Sequence, residues 1–251
     1  MVRFSIVDEV SVETTGAPLP YTPRFDITTP AVTVAGYADM VGRERLLGST
    51  FGSTQWLWGE TDDVCFDRET RELAGLSLFV PPLSAAPPTR TPPTGPPAHP
   101  AGLRADTVQA FELPQATVFH CDPEATELRC LHDPGLLDAV PDARIGIARD
   151  LALLVHDGRM TGWALTDPTR YLTSGFAGPD PAPPSPATCL RFAECLALIS
   201  EPLVDEVMDQ DPAAWHTLRR TERALRDQSD DQRRAGILYE VVSRLIEDYE
   251  P

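Results

Sequence analysis

The run from Pro81 to Pro100, PPLSAAPPTRTPPTGPPAHP, constrains this chain more than any other feature. Proline has no N–H to donate to a sheet ladder, and the run holds too little apolar surface to fold alone. It is expected as a linker or exposed loop of extended, polyproline II character, with recognition by a partner the less favoured reading. The chain is thereby divided into a mostly β half over 1–80, a proline-rich linker over 81–102, and a second hairpin half over 103–174 in the same sheet or a similar small one. Helices are expected over 187–250.

The β expectation rests on alternation. Val2, Phe4 and Ile6, then Val10 and Val12, recur with a period near two, and Ala31 to Ala35 is a β-branched run bounded by Pro30 and Gly36. Between Tyr37 and Leu47 the pattern suits a short helix ended by Gly48. Three stretches then read as hairpins. Val64–Phe66 and Leu73–Val80 flank a polar turn at 67–71. Ala116–Cys121 and Glu127–Leu131 flank another at 122–126, and Leu151–Val155 and Met160–Leu165 flank His156-Asp157-Gly158-Arg159. Asp-Gly is a two-residue hairpin signal, whereas the first two turns call for four- or five-residue loops. The recurrence suggests one antiparallel sheet built of hairpins or two similar halves.

A second Pro/Gly cluster, 175–186, precedes helical spacing at Phe192, Leu196, Ile199, Leu203 and Val207, interrupted at Pro202. Asp211 before Pro212 is an N-cap with proline at the first helical position. Ser229 with Gln232 reads as a capping box ahead of Ile237, Leu238, Val241 and Leu245. The expected fold is therefore α+β, an antiparallel sheet of β-hairpins followed by a C-terminal three-helix segment.

Composition excludes several functions. All 21 basic residues are arginine, and neither lysine nor asparagine occurs, a usage expected of a GC-rich bacterial genome. Lysine-dependent chemistry, whether Schiff base or P-loop, cannot be built. A formal net charge of −17 argues against a nucleic-acid or anionic-membrane partner and suits a basic one. No apolar run approaches the roughly 20 residues of a membrane helix, and Met1 to Val10 lacks the layout of a signal peptide, so a cytoplasmic location is expected. The five cysteines show no CxxC spacing and read as reduced, packed thiols.

Few residues invite a chemical role. Trp56 and Trp58 share one face of a strand and could floor a ligand pocket, although core packing is the plainer reading. The glycine-rich Gly48–Thr54 stretch lacks both the Walker lysine and dinucleotide spacing, and reads as a loop. His120-Cys121 with Cys130 and His132 could bring soft ligands together if residue 121 pairs opposite 130, but no fourth ligand is evident, and no metal or cofactor is expected. Asp62, Asp63 and Asp67 are explained by turn hydrogen bonding. Arg219, Arg223 and Arg226 interleave with acids as a solvated, salt-bridged face.

The sequence thus favours a non-catalytic cytoplasmic binding protein, of immunity or accessory type, that engages a basic partner protein. The alternative is a small-molecule accessory enzyme of bacterial specialised metabolism, with its pocket near Trp56 and Trp58 and His120 as acid or base.

Overall fold

The computed structural model describes residues 2–53, 61–85 and 95–250. The N-terminal alternation belongs to a hairpin and not to one strand: β1 (Arg3–Val7) and β2 (Val10–Thr15) pair antiparallel around Asp8 and Glu9. Phe4 lies opposite Val12, so the period of two continues through the turn and Phe4, Ile6, Val10 and Val12 are all buried. Next come β3 (Arg24–Asp26), β4 (Ala31–Val34), α1 (Met40–Ser49) and β5 (Thr50–Ser53), which takes up part of the glycine-rich stretch. The Asp39 carboxylate accepts the Gly42 N–H at the start of α1, a helix with no buried side chain.

The three expected hairpins form. They are β6 (Asp63–Asp67) with β7 (Leu73–Phe79), then, beyond β8 (His99–Pro100) and β9 (Gly102–Ala105), β10 (Val118–Cys121) with β11 (Glu127–Leu131). After β12 (Ala143–Ala148), β13 (Leu151–His156) pairs with β14 (Arg159–Thr166), and β15 (Leu172–Thr173) is the last strand. The first two turns share a device. Asp67 Oδ1 accepts the N–H groups of Glu69 and Thr70, the Asp122 carboxylate accepts those of Glu124, Thr126 and Glu127, and each turn holds one left-handed residue, Arg71 or Ala125. In the third, Asp157 and Gly158 both have positive φ, as a two-residue hairpin turn requires.

These strands build two mixed sheets in place of one antiparallel sheet. The larger runs β8-β12-β13-β14-β1-β2-β9, with β11 also on β14 and β10 on β11; the smaller runs β15-β3-β4-β7-β6-β5. β1 pairs parallel with β14, β8 with β12 and β15 with β3. Hairpin turns force antiparallel neighbours, but strands brought together from distant segments are free of that constraint. The sheet forks at β14, where Ser5 of β1 opposes Arg159 while β11 runs along Gly162–Thr166. Gly162 permits the fork, because a Cβ there would sit 2.1 Å from the Cys130 carbonyl oxygen. At a corner, the Ala105 N–H donates to the Arg71 carbonyl and joins β9 to the strap before β7.

The described ends of the proline-rich run enter this framework at residues that carry donors. Ala85 N–H donates to Phe119 and Phe119 N–H to Leu83, which edges β10, while Ala101 N–H donates to Gly146 beside β8.

The C-terminal segment contains four helices where three were expected: α2 (Pro186–Leu198), α3 (Leu203–Met208), α4 (Pro212–Arg226) and α5 (Gln232–Tyr249). Pro202 separates α2 from α3, since its missing N–H and ring cannot continue a helix. Asp211 caps α4 through the Ala213 and Ala214 N–H groups. At α5 the residue before the helix is Asp231, left-handed and without a side-chain cap bond, and Ser229 lies outside the helix. Phe25 of β3 meets Phe192 of α2 edge to face at 5.1 Å, and one apolar core draws side chains from both sheets and from α2, α4 and α5.

Candidate functional site

The face of the smaller sheet turned away from this core carries a polar row. Register places Arg24 of β3 opposite Thr33 of β4, Thr33 opposite Ser77 of β7, and Ser77 opposite Asp63 of β6. Directly paired residues on adjacent strands share a face, so the four side chains form a line across the sheet. The Thr33 and Ser77 hydroxyls meet at 3.1 Å. A cleft of about 330 Å³ lies over the row, with Asp26, Phe79, Tyr37, Arg43 of α1 and Phe176 among its walls.

Two residues of β3 hold the wall that carries Phe176. Arg24 Nη1 donates to the Phe176 carbonyl at 3.1 Å, and Asp26 Oδ2 accepts the Gly175 N–H at 2.9 Å. Gly175 has φ +55, which lets the loop fold back over the sheet. Phe176 then meets the Tyr37 ring edge to face, with centroids 6.0 Å apart, and the Arg24 guanidinium lies 5.0 Å from the centre of that ring. Across the cleft Arg43 faces Asp63 at 3.7 Å, an ion pair too long for a hydrogen bond. The neighbouring Cys65 thiol is pushed up to about 11, first by burial and then by Asp63, which leaves it protonated.

The three acids once grouped with the turn separate. Asp67 does cap it, and its carboxyl is held below the usual range by the Thr70 and Glu69 N–H groups. Asp63 enters the cleft. Asp62 points inward and is only 2% exposed; its Oδ1 accepts the Phe79 N–H at 2.7 Å, and burial raises its carboxyl to about 7.

Trp56 and Trp58 lie outside the described residues. His120 does not line the cleft: it sits on β10 opposite Arg129, in the larger sheet. Half-burial lowers its pKa, with Asp122 and Glu127 acting against that shift and Arg129 with it. Nearby, Glu127 bridges Arg129 and Arg144. In the β10–β11 register Cys121 opposes Leu128 and Cys130 opposes Phe119, two residues from the pairing the metal reading assumed. Among the described residues no group of three or more His, Cys, Asp or Glu is placed to hold a metal ion. On α4, Arg219 pairs with Glu250 and Arg226 with Glu222, a salt-bridged face.

The cleft escaped sequence reasoning because its members are spread from Arg24 to Phe176. The one local signal was the polar residue at alternate positions of otherwise apolar strands, Thr33 in β4 and Ser77 in β7. In comparisons with known proteins the chain matches no family model, no curated protein and no solved structure.

Proposed function

We propose that this chain is a non-catalytic cytoplasmic binding protein, of immunity or accessory type in a bacterium, that engages a basic partner protein. The polar row Arg24, Thr33, Ser77 and Asp63 beneath the cleft carries this reading. Two guanidiniums, two carboxylates, paired hydroxyls and aromatic walls are groups that recognise a charged side chain. Among the described residues Arg43 faces Asp63, the Thr33 and Ser77 hydroxyls meet each other, and Arg24 lies over the Tyr37 ring. The net charge of −17 adds a long-range attraction for a basic partner. The test is affinity capture from the native host with the purified chain, beside an unrelated protein of equal net charge. Enrichment of a basic protein over that control, released by salt, is the expected result; equal recovery on both sinks the proposal.

His120 keeps a second reading in view, the accessory enzyme with a pocket near Trp56 and Trp58. Its imidazole is held toward the neutral state that a general base requires. In any assay that detects an activity, full turnover in both His120→Ala and Trp56→Ala would end it.

A further inference from the structure

We infer that Asp62 is a proton-operated latch on the cleft: its neutral carboxyl holds the Phe79 wall in place, and loss of the proton frees that wall. The latch regulates the cleft and rests on the binding-protein reading for what the cleft engages. Strand lengths create it. β6 begins at Asp63, opposite Ser77, whereas β7 continues to Phe79. The Val80 N–H donates to the Pro30 carbonyl on the β4 side. Successive N–H groups of a strand point to opposite sides, so that of Phe79 points toward β6, where the ladder has run out. The Asp62 carboxyl takes the place of the missing strand, and its Oδ1 accepts the Phe79 N–H at 2.7 Å. The last rung of a backbone ladder is therefore a titratable side chain, and the residue it holds lines the cleft with Ser77.

The surroundings of the rung favour the neutral group. Asp62 is 2% exposed, and its Oδ2 has no hydrogen-bond partner. The titratable groups that face it are Asp63, next in the chain and of like charge, and the Cys130 thiol of β11 in the larger sheet, which burial keeps protonated. From β5 the Ser53 hydroxyl serves the Asp62 backbone carbonyl and not the carboxyl. Burial opposes ionisation, the single Phe79 N–H favours it, and Asp63 adds to the opposition, so the carboxyl is raised to about 7. A charge there gains most by reaching water, and the movement that reaches water takes Oδ1 off the Phe79 N–H. The open form, with its carboxyl back at an ordinary 3.8, gains on the closed form as pH rises from about 4 to about 7.

The probe is the proton, applied to the isotope-labelled full chain between pH 5 and pH 8. Exchange of the Phe79 amide is compared at each pH with that of the β13 amides in the larger sheet, which share the solvent and any global unfolding. In the wild type the Phe79 rate should gain roughly 30- to 100-fold on the β13 rates across this range, as linkage requires of a carboxyl moved from 3.8 to about 7. The Asp62 carboxyl carbon should titrate well above the ordinary carboxylate range, and Asp62→Asn should hold the ratio of rates constant. A constant ratio in the wild type, or a carboxyl midpoint near 4, overturns the latch. If Asp62→Asn fails to fold, those two wild-type readings decide. Partner capture is then repeated at pH 5 and pH 8. The wild type should retain less partner at pH 8 relative to Asp62→Asn, and an equal ratio for the two proteins overturns control of the cleft while the binding-protein reading stands. Exchange that follows the latch with no partner captured at either pH overturns that reading and leaves the latch.

Discussion

Asp62 and Asp63 are neighbours in the chain and lie on opposite sides of one sheet. Asp63 faces the cleft, while Asp62 is buried beneath it with Oδ1 on the Phe79 N–H and Oδ2 without a hydrogen-bond partner. Ionising Asp62 places a charge in the core with one donor to meet it, and Phe79, the residue it holds, is itself a cleft wall.

The consequence is a pH dependence of known sign. With its folded pKa raised from 3.8 to about 7, Asp62 binds a proton more tightly folded than unfolded. Its contribution is most favourable below the unfolded pKa and is lost as pH rises from about 4 to about 7. Asp62→Asn keeps an acceptor for Phe79 and carries no charge. It should stabilise the protein at pH 8 by roughly 2–4 kcal/mol and leave it little changed at pH 4. Urea unfolding of both proteins at the two pH values checks this, and equal stability at pH 8 would refute the buried charge.

His132 titrates in the opposite sense. Burial lowers its imidazole from 6.5 to about 4, and its Nε2 has no hydrogen-bond partner. The folded state therefore resists protonation, and stability should fall as pH drops from 6.5 toward 4. Imidazole resonances followed through that range should show His132 neutral at pH 5. A midpoint near 6.5 would contradict its burial.

Arg234, 1% exposed, ties α5 to the loop that precedes α2. It donates to Asp231 Oδ1 at 2.9 Å and to the carbonyls of Asp180 and Ala182 at 2.8 and 2.6 Å. Arg234→Met removes all three bonds and leaves Asp231 without its cation, so a loss of about 3–5 kcal/mol is expected. Thermal unfolding reads it directly, and a Tm within a degree or two of the parent would show that these three bonds are dispensable.

Two glycines separate crowding from backbone strain. Gly158 has φ +70 and open space around it, so Gly158→Ala should cost only about 1 kcal/mol. Gly162, at φ +154, would press a methyl against the Cys130 carbonyl, and Gly162→Ala should fail to fold or lose several kcal/mol. Comparable soluble yield and stability for the two variants would mean that the β11–β14 junction yields easily.

What the sequence determined by itself was local. Alternation marked the strands, Asp67 and Asp122 marked turns that cap their own N–H groups, and Asp211-Pro212 marked the start of α4. These signals depend on neighbours a few residues apart, where sterics and short hydrogen bonds act without the rest of the chain. Strand order and register were not legible in this way. That β1 lies parallel to β14, or that Arg24, Thr33, Ser77 and Asp63 fall in one row, follows from how distant segments bury their apolar faces together. A register step of one residue would have turned Thr33 and Ser77 into the core, and only the packing of Val32, Val34, Leu76 and Leu78 on the inner face forbids it. The cleft, and with it the candidate function, was decided at that level.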